Sequence, residues 1–380
     1  MIKEGIKKMG LSLFRFIFSI IIKTAKLCNF NIEVLLNNIA IQIEKYSDSY
    51  INYKIRPKKS DYYIPTKIKT DTQSGEFAIV LQGVIETRDD FTLETVKLYK
   101  KIFPNSIIII STWDNTNPSL LECFKNIGCE IVISKTFTPC GYGNVNYQIC
   151  TTLAGIKRAK EMGAKYVLKN RSDLRIYKEF AFEYLKSLLN LFPVKGDDLP
   201  QKGRIITLAG NWGQMFMPYW LQDFLYFGFT EDLINLFEIP YNNSTISKSA
   251  EYLKSLNKAI TAKDLYKPEV AEIYIIIQYL KKYKDINITV QNSWEILKNY
   301  FFIIDFDDLN VLWNKYGLYN LGDYAGDFIN NANPNDWYRN IKSSDMINIL
   351  SARYAYEDWM EKESEKYILF NKKQDKSSNL

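Results

Sequence analysis

The stretch YVLKNRSDLRI, residues 166–176, runs from apolar Tyr166-Val167-Leu168 straight into Lys169, Arg171, Asp173 and Arg175. Four charges within residues 169–175 are too many for the buried middle of a strand. The pattern predicts a hydrophobic strand that surfaces to display three cations around one carboxylate. Arg and Lys neutralise phosphate oxygens, and one carboxylate can hold a divalent cation, Mg²⁺ or Mn²⁺, that bridges them. That is the chemistry of a nucleoside diphosphate. Gln82-Gly83 and Ser111-Thr112-Trp113-Asp114 offer further polar groups, and the Trp113 ring could stack on a base or sugar. The plain alternative for Arg171 and Asp173 is an exposed ion pair at a strand end.

Bringing these residues together requires a regular framework, and one begins at Glu76. FAIVLQG (77–83), SIIIISTW (106–113), EIVIS (130–134) and KYVLK (165–169) read as short buried strands. Between them, Leu93, Val96, Tyr99, Ile102 and Phe103 fall at helical spacing, as do Leu120, Leu121, Phe124 and Ile127. Ile149, Leu153, Ile156 and Ala159 mark a third helix, ended by Gly163. Strands alternating with helices predict βαβ units and a parallel sheet. In such a sheet ligands bind outside the carboxyl ends of the strands. Three of those ends carry the polar residues above, so one rim should collect Gln82, Gly83, Thr112, Trp113, Lys169, Arg171, Asp173 and Arg175. Neither a P-loop nor a G-x-G-x-x-G fingerprint follows the first strand, which disfavours kinase, NTPase and dinucleotide readings.

Composition narrows the chemistry further. The chain has 380 residues, 47% apolar and 24% charged, with a mean hydropathy of −0.22; this describes a soluble globular protein. Its net charge of +6 suits a phosphorylated ligand or an acidic membrane face, and is too mild and too evenly spread for nucleic acid. There is no histidine, which removes Ser-His-Asp and Cys-His nucleophilic sites and every His-ligated metal. Acid–base work falls to Asp, Glu, Lys, Tyr or Cys, and a metal would need oxygen ligands. The five cysteines form no C-x-x-C pair and read as reduced and buried, in a cytosolic protein.

The N-terminus is basic, with an apolar stretch Leu11–Ile22 interrupted by Arg15. It is shorter than the ~20 residues of a spanning helix. A helix lying in a membrane surface and a helix docked on the protein's own core both fit it. Residues 45–75 are polar and read as a linker. The expected division is therefore an N-terminal helical and linker segment, 1–75, a main α/β domain with the nucleoside-diphosphate rim, 76–305, and an aromatic C-terminal helical extension, 306–380. Across the boundary between the last two, DFDD at 305–308 is explained by turn and helix-cap chemistry more cheaply than by a metal cluster.

IVLQGVIETRDDFTLETVKLYKKIFPNSIIIISTWD and NVNYQICTTLAGIKRAKEMGAKYVLKNRSDLRI resemble the WavE family of bacterial lipopolysaccharide-synthesis proteins, of GT-A glycosyltransferase type. WLQDFLYFG (220–228) and KPEVAEIYIIIQYL (267–280) resemble the later blocks of that family, so the likeness spans about residues 76–282. It implies a GT-A-like (Rossmann-like), mostly parallel α/β sheet flanked by helices. It also implies transfer of a sugar from a nucleotide-sugar donor to a glycan or glycolipid acceptor, on the cytoplasmic side of the membrane. In GT-A enzymes the strand at 166–170 ends in Asp-x-Asp, which holds a metal. Here Arg171-Ser172-Asp173 takes that place, so the resemblance gives Asp173 the metal and lets Arg171 contact phosphate directly.

The acceptor half reads less sharply. WLQDFLYFG reads as an aromatic helix whose one carboxylate, Asp223, is either a base for an acceptor hydroxyl or a surface carboxylate. Glu269, after Pro268, is either acceptor-binding or a first-turn acid favoured by the helix dipole. Asn144, Asn146 and Gln148 open the third helix; capping explains one, and Asn146 is a candidate ligand contact. Three classes follow: a glycosyltransferase, another nucleotide-sugar enzyme such as a nucleotidyltransferase, or a non-catalytic carbohydrate- or membrane-binding component of an assembly complex.

Overall fold

The computed structural model describes residues 2–28, 30–48, 50–51, 53–66, 73–208, 218–246, 260–261, 270–288, 290–314 and 368–370. It comprises two units, Met1–Lys58 and Lys59–Leu380. In the first, α1 (Ile2–Leu27) carries Leu13, Phe16, Ile17, Ile20 and Ile21 at spacings of three and four, all exposed. Among the described residues no helix is long and apolar enough to cross a membrane. Helix α2 (Ile32–Lys45) starts where the Asn31 side chain accepts the Glu33 N–H at 2.8 Å.

The second unit is built on strand β1 (Phe77–Gln82), buried along its whole length. The chain continues through α3 (Phe91–Ile102), β2 (Ile107–Trp113), α4 (Pro118–Asn126), β3 (Glu130–Ser134), α5 (Val145–Glu161) and β4 (Tyr166–Arg171). There follow β5 (Leu174–Ile176), α6 (Ala181–Leu191), β6 (Ile205–Leu208), β7 (Leu225–Phe229) and α7 (Thr230–Phe237). The remaining elements are β8 (Ile260–Thr261), α8 (Ala271–Lys281), α9 (Val290–Tyr300), β9 (Phe301–Ile304), β10 (Val311–Trp313) and β11 (Ile368–Phe370). Among the described residues the main sheet has the order β3-β2-β1-β4-β7-β6-β9. Every neighbouring pair is parallel except those made by β7, which runs antiparallel to β4 and β6. This is the expected mostly parallel α/β sheet flanked by helices. Two short antiparallel pairs, β5 with β10 and β8 with β11, stand outside it.

Side-chain parity along the strands sorts the core into two layers. Ala78, Val80, Ile109, Val167 and Tyr226 face α5, α7, α8 and α9. Phe77, Ile79, Ile108, Tyr166, Leu168 and Phe227 face α3, α4 and α6. The chain thus lays β1, β2 and β3 outward with α3 and α4 on one face. It then returns through α5, on the other face, to place β4 against β1. The order reverses between β1 and β4, so their carboxyl ends form the switch point of a doubly wound sheet.

The structure departs from the expectations in three places. WLQDFLYFG is not a helix: Trp220–Phe224 leads into β7, because alternating Leu225, Phe227 and Tyr226 satisfy both core layers as a strand. The stretch read as a polar linker is partly tied down. Ser60 N–H donates to buried Glu94 at 2.7 Å, and Glu179 accepts from the Tyr63 hydroxyl and the Thr66 N–H at 2.8–2.9 Å. All five cysteines are free, but Cys28 and Cys123 are exposed rather than buried. Of the helical extension expected over 306–380, the described residues 306–314 and 368–370 form a 3-10 turn and the strands β10 and β11, while the rest lies outside the described residues.

Helix α5 approaches the sheet closely through Gly155, where a Cβ would lie 2.4 Å from Val80 Cγ1 and 3.1 Å from Ser111 Cβ. Gly155→Ala therefore sets a helix-propensity gain of ~1 kcal/mol against overpacking of about 1–3 kcal/mol in a rigid layer. We expect net destabilisation in urea unfolding. A more stable variant would show that α5 can retreat from the sheet.

Candidate functional site

Strand parity puts Lys169 and Arg171 on the α5/α8 face of β4, with Lys169 directly opposite Tyr226 of β7 and Arg171 opposite Gln82 of β1. Because β7 runs antiparallel, its beginning lies at the carboxyl rim of β4. Asp223 and Phe224 arrive there just ahead of Leu225, the partner of Asn170. Helix α8 begins beside them, where the Glu272 carbonyl accepts the Leu221 N–H at 3.3 Å. Strand β10 pairs with β5 and brings Trp313 opposite Leu174, with the Asn314 N–H donating to the Asp173 carbonyl at 3.0 Å. Five separate segments therefore converge on one rim.

The centre of the cluster is the Arg171 guanidinium. Its Nε donates to Asp173 Oδ1 and its Nη2 to Oδ2, both at 2.9 Å, a two-pronged fork on one carboxylate. Trp313 Nε1 also donates to Asp173 Oδ2, at 3.3 Å. On the other side Arg171 Nη1 lies 3.6 Å from Asp223 Oδ1. The guanidinium carbon sits 5.3 Å from the Phe224 ring centre and 5.8 Å from that of Trp313, within cation–π range. Burial opposes the charge, but Asp173 and Asp223 outweigh it and hold the Arg171 proton above the ordinary arginine range.

Lys169 lies behind Arg171 with no exposed surface. Its ammonium donates to the Asp223 carbonyl and sits 5.6 Å from the Tyr226 ring centre. Burial lowers its pKa to about 7, with Asp223 acting against the shift and Arg171 adding to it. Glu272 shifts the opposite way, to about 8. Burial is the main cause and the Asp223 charge adds to it, while Arg171 and Lys169 partly offset both. Tyr226 is fully buried, its hydroxyl has no hydrogen-bond partner among the described residues, and burial and the neighbouring acids Asp223 and Glu272 raise its pKa well above normal. The Gln148 side chain fixes the Asp223 carbonyl from α5, at 3.3 Å.

Of the residues expected at the rim, the structure brings together Lys169, Arg171, Asp173 and Asp223, flanked by Gln82 and Gly83. Gln82 is buried and accepts from the Thr151 hydroxyl at 3.0 Å. Gly83 turns the chain at φ +106°, a conformation that favours glycine. Other candidates serve the fold instead. Arg175 falls on the opposite face, 1% exposed, because strand β5 directs it toward α3. There it binds Thr95 Oγ1 and the Phe91 carbonyl, both at 2.8 Å. Asn146 is buried and ties two loops, donating to the Pro139 and Asn242 carbonyls and accepting the Asn242 N–H at 2.7–2.8 Å. Thr112 is buried against Thr116, and Trp113, 6% exposed, packs edge-on against Tyr147 rather than offering a stacking face. Glu269 lies outside the described residues.

Sequence reasoning missed Glu272, Tyr226, Phe224 and Trp313. Glu272 had a usable signal, a second acid in the turn after Pro268. Trp313 had none, since only the β5–β10 pairing brings it to Asp173. A resident divalent ion does not fit these residues. Both Asp173 oxygens are committed to Arg171, and among the described residues no group of three or more acids or cysteines could hold a metal. DFDD is capping chemistry, with Asp305 and Asp308 forming a reciprocal capping box.

Fold and site together define an α/β protein with a doubly wound, mostly parallel sheet and a polar cluster at its switch point. The family model described as WavE lipopolysaccharide synthesis matches residues 77–312, more than half of the chain, and the chain belongs to that family. Among solved structures it is similar to 4-diphosphocytidyl-2C-methyl-D-erythritol synthase from Anaerococcus prevotii DSM 20548. That likeness has a TM-score of 0.32 at 11% identity and covers 67% of this chain and 97% of that one. HddC from Yersinia pseudotuberculosis aligns with a TM-score of 0.27 at 10% identity, covering 48% of this chain and 87% of the other. No curated protein matches the chain.

The Glu272 proton makes a prediction about stability. The folded protein holds it up to about pH 8, whereas the unfolded chain releases it near 4.5. Between those values the folded state carries the extra proton, so stability falls as pH rises. Glu272→Gln is neutral throughout and escapes that loss. The stability of the variant relative to wild type should rise steadily across the window in urea unfolding. A flat difference would show that Glu272 titrates as an ordinary carboxylate.

Proposed function

We propose that this protein is a glycosyltransferase that moves a sugar from a nucleotide-sugar donor to a lipopolysaccharide or other cell-surface glycan acceptor. The observation that carries the reading is the Arg171–Asp173 fork beside Asp223 at the carboxyl ends of β1 and β4. A cation there meets the charge that develops on a departing nucleoside diphosphate. A carboxylate beside it takes the proton of the attacking hydroxyl. As the acceptor oxygen bonds to the anomeric carbon, its proton passes to Asp223. The bond from that carbon to the diphosphate breaks, and the leaving oxygen draws on Arg171. Lys169 does not touch the ligand; it fixes the Asp223 backbone and adds positive potential from behind. Membership of a lipopolysaccharide-synthesis family supports the acceptor class.

The helix α1 supports a place for the protein at the inner-membrane surface. Its exposed stripe of Leu13, Phe16, Ile17, Ile20 and Ile21 lies on a helix that also carries Arg15, Lys23 and Lys26. Apolar burial plus attraction to anionic lipid is what holds such a helix at an interface. A lipid-linked acceptor would be presented there.

Two measurements test these readings. Incubation with a panel of nucleotide-sugars and lipopolysaccharide precursor should release free nucleoside diphosphate, and Asp223→Asn, confirmed as folded by circular dichroism at the assay temperature, should slow it by ~10²–10⁴-fold. Release of inorganic diphosphate would identify a nucleotidyltransferase instead. Removing residues 1–58 should leave the second unit folded and abolish sedimentation with anionic vesicles. Equal vesicle binding by the full and shortened chains would remove the interfacial role of α1.

A further inference from the structure

The expected metal position is filled by protein. Each Asp173 oxygen already accepts an Arg171 N–H at 2.9 Å, so a divalent cation ligated there would share one carboxylate with a second cation and repel it. The guanidinium is held where it is by the Phe224 and Trp313 rings beside it and by Asp223, 3.6 Å off. Mg²⁺ and Mn²⁺ require several oxygen ligands in near-octahedral array, and the described residues offer no group of acids that could supply them. Arg171, in contrast, keeps donors in reserve among the described residues. A guanidinium has five N–H groups, of which Asp173 takes two. Nη1 lies beyond hydrogen-bonding distance of Asp223, and the side chain is 19% exposed at the rim.

The geometry points to a site that meets the diphosphate with its own guanidinium in place of a resident divalent cation. Asp173 is then a positioning residue that aims Arg171, rather than a metal ligand. The inference rests on the nucleotide-diphosphate reading above. Arg171 is the group that touches the leaving diphosphate, and its planar fork matters as well as its charge, because a lysine can neutralise but cannot bridge two acceptors at fixed angles.

The test is calorimetry of the full-length protein with UDP, GDP, CDP and ADP, each in EDTA and in Mn²⁺, together with the EPR signal of hexaaquo Mn²⁺. Whichever nucleotide binds should do so with affinities within about twofold in the two buffers. Arg171→Lys, which keeps the charge and the fold, should weaken that binding by about tenfold or more. Asp173→Asn should weaken it equally in EDTA and in Mn²⁺, whereas loss of a metal ligand would weaken it in Mn²⁺ alone, and Asp173→Glu, which can still aim the guanidinium, should restore part of the binding. The free protein should leave the Mn²⁺ signal undiminished. Loss of the Mn²⁺ signal to the free protein, or nucleotide binding that EDTA weakens by more than about tenfold, overturns the inference and leaves the transferase reading standing. Failure of all four nucleotides in both buffers removes the nucleotide-diphosphate reading, and this inference falls with it.

Discussion

A lysine with no exposed surface, in the middle of a seven-stranded sheet, is the constraint around which the rest is arranged. An ammonium taken out of water costs several kcal/mol unless neighbouring groups compensate it. The compensation for Lys169 comes from the Asp223 carbonyl, the face of Tyr226 and the nearby carboxylates of Asp223, Asp173 and Glu272. Those carboxylates in turn require Arg171. The cluster is therefore interlocked, and removing one partner of such a buried network typically costs about 3–5 kcal/mol, because the others are left uncompensated. Proton exchange relieves part of the load. Burial pushes the Lys169 pKa down and the Glu272 pKa up, so both shifts favour the uncharged form and lessen the charge the rim must hold. Burial selects that arrangement, since it penalises charge of either sign.

The same constraint explains why so many distant segments meet at this rim. A cluster built from β4 alone would leave its carboxylates exposed to water on one side. The antiparallel β7 brings Asp223, the start of α8 brings Glu272, and the β5–β10 pair brings Trp313 over Asp173. Gly155 lets α5 lie close enough on the sheet for the Thr151 hydroxyl to reach Gln82, which stands opposite Arg171 in the register of β1 and β4. Packing distance and site geometry are thus set by the same contacts.

The elements were legible in the sequence wherever the periodic signal was local. The first four strands and the three helices between them follow from apolar runs and helical spacing, and the cluster at 169–173 follows from charge at a strand end. What was not legible depends on side-chain parity and on long-range pairing. Arg175 stands two residues past Asp173 and reads as part of the same display, yet β5 turns it onto α3. Asn146 reads as a ligand contact because it opens a helix, but its three hydrogen bonds all go to neighbouring loops. WLQDFLYFG misreads because its aromatic residues fit a helical face and a two-sided strand equally well, and only the sheet decides between them. Trp313 joins the site through a partner strand more than 130 residues earlier, which no window along the chain can see.

The distribution of acids separates folding chemistry from site chemistry. Asp305 and Asp308 satisfy backbone N–H groups, and Asp232 does the same for Lys202 and Gly203. None of these three needs a cationic side chain at hydrogen-bonding distance to explain it. Asp173 instead gives both oxygens to a guanidinium, and Asp223 lies across that same guanidinium from it. A carboxylate spent on a cap costs the fold little, because backbone donors need a partner anyway. A buried carboxylate spent on a cation, beside two further acids and a lysine without solvent, stabilises no helix end. Replacing such an ionic group with apolar side chains of similar size is often neutral or stabilising. On stability alone this rim would be apolar, so the expense is explained by what the guanidinium does once it is held in place.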